Sequence, residues 1–142
     1  MEANANPWVH VAPIPDDYRG IYRRGESHLG VSYARHVAGI VDRLRQEGRV
    51  RSCFIAESMP SVAGQIVFPP GYLADVYGHV HGAGGVCIAD EVQLGTHFWG
   101  FEAQGVVPDI VVLGKPIVNT FPLAAVITCH LLARSGNRVQ QS

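Results

Sequence analysis

Apolar residues recur along this chain with two different periods. Between residues 31 and 47, Tyr33, Ala34, Val37, Ile40, Val41 and Leu44 fall at i, i+3, i+4, i+7 spacing, with Arg35, Asp42, Arg43, Arg45 and Glu47 on much of the remainder. That spacing predicts an amphipathic helix with one buried face. Gly48 stands where a left-handed residue can end it. A second helix is predicted near 71–82, where Tyr72, Leu73, Val76, Tyr77 and Val80 are apolar and Gly82, Gly84 and Gly85 follow. Four shorter apolar runs, 52–57, 86–89, 109–113 and 123–128, show no alternation with polar residues. They read as strands of a covered, largely parallel α/β sheet. Residues 91–104 read as a loop or short helix. Residues 1–29, with Pro7, Pro13, Pro15, Gly20 and Gly25, read as an irregular approach segment, and 135–142 as a frayed end.

In parallel α/β sheets, functional groups collect just beyond the carboxyl ends of the strands. Glu57, Asp90 and, after Gly114, Lys115 all stand there. Lys115 is the only lysine; the other ten basic residues of the 11 are arginines. A lysine that attacks an aldehyde must be neutral, hence desolvated, and a position after IVVLG suits that better than a polar stretch would. A carboxylate beneath a pyridine nitrogen keeps that nitrogen protonated and the ring electron-poor. A lone amine and a carboxylate at two strand ends is therefore what pyridoxal phosphate chemistry requires. Plainer readings stand beside this one. Lys115 could be a surface lysine, and Asp90 a helix N-cap with Glu91 in the next turn. Gln93 could donate to a phenolate oxygen or complete a capping box for Asp90.

The composition narrows the choice further. The chain has 142 residues, 47% hydrophobic and 16% charged, with net charge −1. That balance offers no electrostatic case for nucleic acid or an anionic membrane. No apolar stretch approaches the roughly 20 residues that span a bilayer, and MEANANPWVH has no signal-peptide pattern. Cys53, Cys87 and Cys129 are odd in number and read as small buried hydrophobes in a reducing compartment, with the cytoplasm as the default. Arg43, Arg45, Arg49 and Arg51 read as a solvated helix end. His79 and His81 point to different faces of their helix and do not suggest a joint metal site. Asp90 and Glu91 lack further ligands at suitable spacing for a hard cation. Gly82, Gly84 and Gly85 follow a helix and precede a strand, the reverse of a phosphate-binding glycine turn.

Three blocks, FIAESMPSVAGQIVFPPGYL, GGVCIADEVQ and HFWGFEAQGVVPDIVVLGKPI, resemble the class III pyridoxal-phosphate aminotransferases. Within them, AESMPSVAGQI and HFWGF are most similar to the ethanolamine-phosphate and phosphohydroxylysine phospho-lyase branch. The resemblance spans roughly residues 50–128. It implies that residues 30–134 are part of a fold-type-I large domain, a mainly parallel sheet with flanking helices, that binds pyridoxal 5'-phosphate and acts on a small amine or amino acid, as a homodimer in the full-length family. It implies that Lys115 forms the Schiff base and shuttles protons at the substrate's α-carbon. Asp90 would pair with the pyridine nitrogen, Gln93 would contact the phenolic oxygen, and Glu57 would join the polar network around the cofactor.

The chain departs from the family pattern in several places. A GFGR-type loop usually lies between DEVQ and the HFW segment, whereas Gln93-Leu94-Gly95-Thr96 runs straight into His97 here. Val118 and Thr120 stand where relatives carry glycines, and the likeness fades after Thr128. The upstream turn that grips the cofactor phosphate and the C-terminal domain of the family are not within these residues. The expectation is a partial aminotransferase or phospho-lyase domain, inactive by itself. The alternative is a non-catalytic α/β remnant or partner-dependent interaction module.

Overall fold

The computed structural model describes residues 6–49, 52–61, 64–92, 99–114, 123–129 and 132. Helix α1 runs Leu29–Gln46, starting two residues before the periodic stretch, after His28 in the left-handed region at φ 59°. It buries Tyr33, Ala34, Val37, Val41 and Leu44. Its end is a Schellman motif: Gly48 at φ +75° donates to the Arg45 carbonyl and Arg49 to the Leu44 carbonyl, satisfying two otherwise orphaned acceptors. Helix α2 runs Tyr72–Gly82 and closes the same way. There Gly84 at φ +73° donates to His81 and Gly85 to Val80.

Four strands, β1 Cys53–Glu57, β2 Val86–Asp90, β3 Ile110–Leu113 and β4 Ala125–Thr128, form one sheet in the order β1-β2-β3-β4. β1, β2 and β3 are parallel, and β4 returns antiparallel to β3. The sheet is mixed and mostly parallel, as the apolar runs predict. Between β2 and β3 the chain forms a 3-10 helix, Gly100–Gln104.

The register divides the sheet into two faces. Phe54, Cys87, Ala89, Val111 and Leu113 share one. Cys87 joins the large core with α1, α2, Ile66 and Phe68; Ala89, Val111 and Leu113 pack with Phe101 in a second cluster, flanked by Trp99, Val106 and Ala125. Edge-to-face pairs, Tyr22–Tyr33 at 5.0 Å and Phe68–Tyr72 at 5.1 Å between centroids, tie the irregular segments onto the helices. Burial pushes the Tyr72 hydroxyl up to about 12.

The opposite face carries Ile55, Glu57, Ile88, Asp90, Val112 and Val126. No described helix covers it, and Ile55 and Val126 are 60% and 66% exposed. The described residues supply a layer on the other face only, where α1 and α2 pack. The cysteine expectation needs a correction. Cys87 is buried, but Cys53 starts the edge strand β1 and is exposed, as is Cys129. Residues 6–28 contain turns but no helix or strand. No described helix is long and apolar enough to cross a membrane.

Candidate active site

Glu57 and Asp90 are the last residues of β1 and β2 and occupy the same rung of the parallel ladder. Residues paired in register project to the same side, so both carboxylates leave the sheet on its uncovered face. Each is partly held by a backbone amide. Glu57 Oε2 accepts from the Ser61 N–H at 3.0 Å, fixing the turn through Met59 and Pro60. Asp90 Oδ1 accepts from the Val92 N–H at 3.1 Å. Asp90 Oδ2 has no partner among the described residues. Asp90 therefore closes an Asx turn at a strand end, and it caps none of the described helices.

Ile88 and Val112 flank Asp90 on that face, since Asp90 pairs with Val112 and Ile88 lies two residues earlier. A half-buried carboxylate with one free oxygen, beside an apolar floor, suits a flat ring carrying one protonated nitrogen. This donor set fits the pyridine end of pyridoxal phosphate. Lys115 and Gln93 lie outside the described residues; β3 ends two residues before Lys115, at Leu113.

Next to Asp90 is a carboxylate that the sequence does not mark as structural. Glu91 is 1% exposed. Its two oxygens accept from the Gly100 N–H at 2.7 Å and the Phe101 N–H at 3.1 Å, while its own N–H donates to the Val112 carbonyl at 2.9 Å. It thus caps the 3-10 helix and pins it to the end of β2. Trp99 and Phe101 stack there, 5.8 Å apart and 15° from parallel. Consecutive acids in IADEV point to opposite faces of the sheet, one outward and one into a cap.

A third group has almost no mark in the sequence. Asp109, just ahead of β3, accepts from the Cys87 N–H and contacts His81 Nε2, each at 2.7 Å through Oδ2. Asp109 N–H returns a bond to the Cys87 carbonyl. Burial alone would raise this carboxyl; the Cys87 amide and the His81 hydrogen bond and charge outweigh it and hold it below the ordinary value. Burial, with Asp109 and Cys53 adding, pushes the Cys87 thiol up to about 12. This cluster lies at the amino ends of the strands, opposite from Glu57 and Asp90. The only sequence signal for it is an aspartate at the start of an apolar run.

Comparison with known proteins shows the family. Residues 3–139 match the family model described as aminotransferase class-III. An alanine–glyoxylate aminotransferase 2-like protein of Drosophila melanogaster is 43% identical, covering 90% of this chain and 28% of that protein. Ethanolamine-phosphate phospho-lyase homolog 1 of Caenorhabditis elegans is 36% identical, covering 85% of the chain and 29% of that protein. Among solved structures, a phospholyase from Arthrobacter in complex with phosphoethanolamine superposes with a TM-score of 0.71 at 31% identity, over 80% of this chain and 29% of the other. A Pseudomonas jessenii omega transaminase in complex with PMP gives 0.71 at 26% identity, over 90% and 29%. The chain thus spans less than a third of the relatives it matches. With the family model matching nearly every residue, the chain belongs to the class-III aminotransferase family.

Proposed function

We propose that these residues form the pyridine-ring side of a pyridoxal 5'-phosphate site, within the large domain of an enzyme that transfers an amino group from a small amine or amino acid. The observation that carries this is the pairing of Asp90 and Glu57 on the last rung of adjacent parallel strands, on the uncovered face. When bound, pyridoxal phosphate supplies an electron sink for negative charge at the substrate's α-carbon. Asp90, anchored through Oδ1, uses its other oxygen to hold a proton on the ring nitrogen. Glu57, anchored to the Ser61 amide, contributes negative charge and a hydrogen-bond acceptor beside it. Gln93 would donate to the ring's phenolic oxygen, and the Lys115 amine would hold the cofactor through its aldehyde and move the proton at the α-carbon.

Elimination of phosphate from a phosphorylated amine is a second reading. It is supported by the likeness to the Caenorhabditis phospho-lyase homolog and the Arthrobacter phospholyase. Both reactions begin with the same α-proton removal, so the residues named above serve either. The complete site is that of a homodimer. Free thiols at Cys53, Cys87 and Cys129 favour a reducing compartment, and we assign the cytoplasm.

The test uses the sole lysine. The chain is mixed with pyridoxal phosphate, reduced with borohydride and mapped by mass. The expected adduct is on Lys115, with only the N-terminal amine competing. Labelling at the N-terminus alone would overturn the assignment. Phosphate release from phosphoethanolamine without an amino acceptor would favour elimination over transfer.

A further inference from the structure

The His81, Cys87 and Asp109 cluster takes no part in that chemistry, yet it gathers three different metal-binding groups. An imidazole comes from the last turn of α2, a thiol from β2 and a carboxylate from the residue ahead of β3. One donor atom from each lies within 4.8 Å of the others. Among the described residues, only these three groups converge so closely. Tetrahedral zinc has bonds of about 2.0–2.3 Å and so needs donors roughly 3.3–3.7 Å apart. The widest separation must close by about 1 Å, and His81 has the freedom to do this because it is exposed at a helix end.

The supporting contacts are already in place. The Cys87 N–H holds Asp109 Oδ2 at 2.7 Å, the kind of outer hydrogen bond that fixes a metal-binding carboxylate. His81 Nε2 faces the same oxygen at 2.7 Å, so an ion would take the place of that hydrogen bond. One thiol, one imidazole and one carboxylate suit a borderline-soft ion and not calcium or magnesium, which prefer all-oxygen sets. Cys87 is buried and His81 exposed, leaving the fourth position open to water from the His81 side.

We propose that His81, Cys87 and Asp109 bind one zinc ion per chain, tying the end of α2 to the starts of β2 and β3. Cys87 and Asp90 are three residues apart on β2, about 10 Å along the strand, so the ion does not compete with a cofactor at the other end. It stabilises the folded chain by mass action.

Cobalt(II) reports on the site directly, because a cobalt–thiolate bond absorbs in the near ultraviolet. The full chain titrated with cobalt is expected to show a saturable thiolate band at one ion per chain, displaced by zinc. Zinc, but not magnesium, raises the thermal midpoint. Cys87→Ser removes the band. His81→Gln, at an exposed position that leaves the fold intact by circular dichroism, weakens binding by more than the roughly 10- to 100-fold typical of an outer partner. No thiolate band overturns the proposal. So does a band surviving Cys87→Ser, which would mark adventitious binding at Cys53 or Cys129, and so does binding unchanged in His81→Gln.

Discussion

Glu57 and Asp90 sit side by side on one rung of the parallel ladder with both carboxylates on the uncovered face. Like charges placed directly across a rung cost roughly 0.2–1 kcal/mol. One role of Asp90 is to close its turn; the proposed other is to hold a protonated ring. Asp90→Asn should separate the two roles. The Asn carbonyl can still accept from Val92, so urea unfolding should show stability unchanged or raised by up to about 1 kcal/mol. Pyridoxal phosphate affinity, followed by absorbance titration, should fall by about ten- to a thousandfold, matching the 1–3 units by which an opposite charge shifts a pKa. Unchanged affinity would assign Asp90 to the turn alone.

The buried neighbour should behave in the opposite way. Glu91→Ala leaves the Gly100 and Phe101 amides without an acceptor in a buried place. Hydrogen bonds to a charged group contribute about 1.5–3 kcal/mol each, and orphaned donors carry their desolvation cost. A loss of roughly 3–5 kcal/mol in urea unfolding is expected. Glu91→Gln keeps one accepting oxygen and should cost about half. Equal, small losses in both variants would show that the cap contributes little.

The elements are legible in the sequence because their signals are local. Gly48 lies one turn beyond the last periodic apolar residues, and its left-handed φ follows from that position. Glu57 and Asp90 are legible as strand ends because apolar runs stop at them. What stays hidden depends on distance along the chain. Glu91 finds its donors nine and ten residues away, and Asp109 meets His81 across 28 residues. Neither spacing has a local pattern. The uncovered face has no local mark either, because Ile55 and Ile88 look the same in sequence whether or not another layer lies on them.

Asp16 gives a pH dependence. Its carboxylate accepts from the backbone amides of Arg19 and Tyr18 and from the Arg19 guanidinium. The Arg19 amide, then the Tyr18 amide, hold its carboxyl below the ordinary 3.8. A lowered folded value means that ionised Asp16 favours the folded state. That contribution is complete above the unfolded value and is lost as pH falls through the folded one. The urea midpoint of the native chain should therefore decline below about pH 4 more steeply than that of Asp16→Asn. Parallel pH curves would remove Asp16 from the acid response.

Two glycines at the end of α2 should respond oppositely to the same change. A Cβ on Gly85 would stand 2.5 Å from the Ser52 carbonyl oxygen and 2.8 Å from Val80 Cγ1. Neither neighbour can yield cheaply. The Ser52 carbonyl accepts the Val86 N–H at the first β1–β2 rung, and the Val80 carbonyl accepts from Gly85 in the helix stop. Gly85→Ala must break one of these or shift α2 against the sheet, at about 2–3 kcal/mol. Gly82, the last residue of α2, has no positive φ, and a Cβ added there would meet nothing within 4 Å. Gly82→Ala removes backbone freedom from the unfolded chain and should add roughly 0.4–1 kcal/mol. Thermal unfolding of the two variants side by side checks the pair. A Gly85→Ala chain as stable as Gly82→Ala would mean that α2 is free to move away from β1, against the close approach at Ser52.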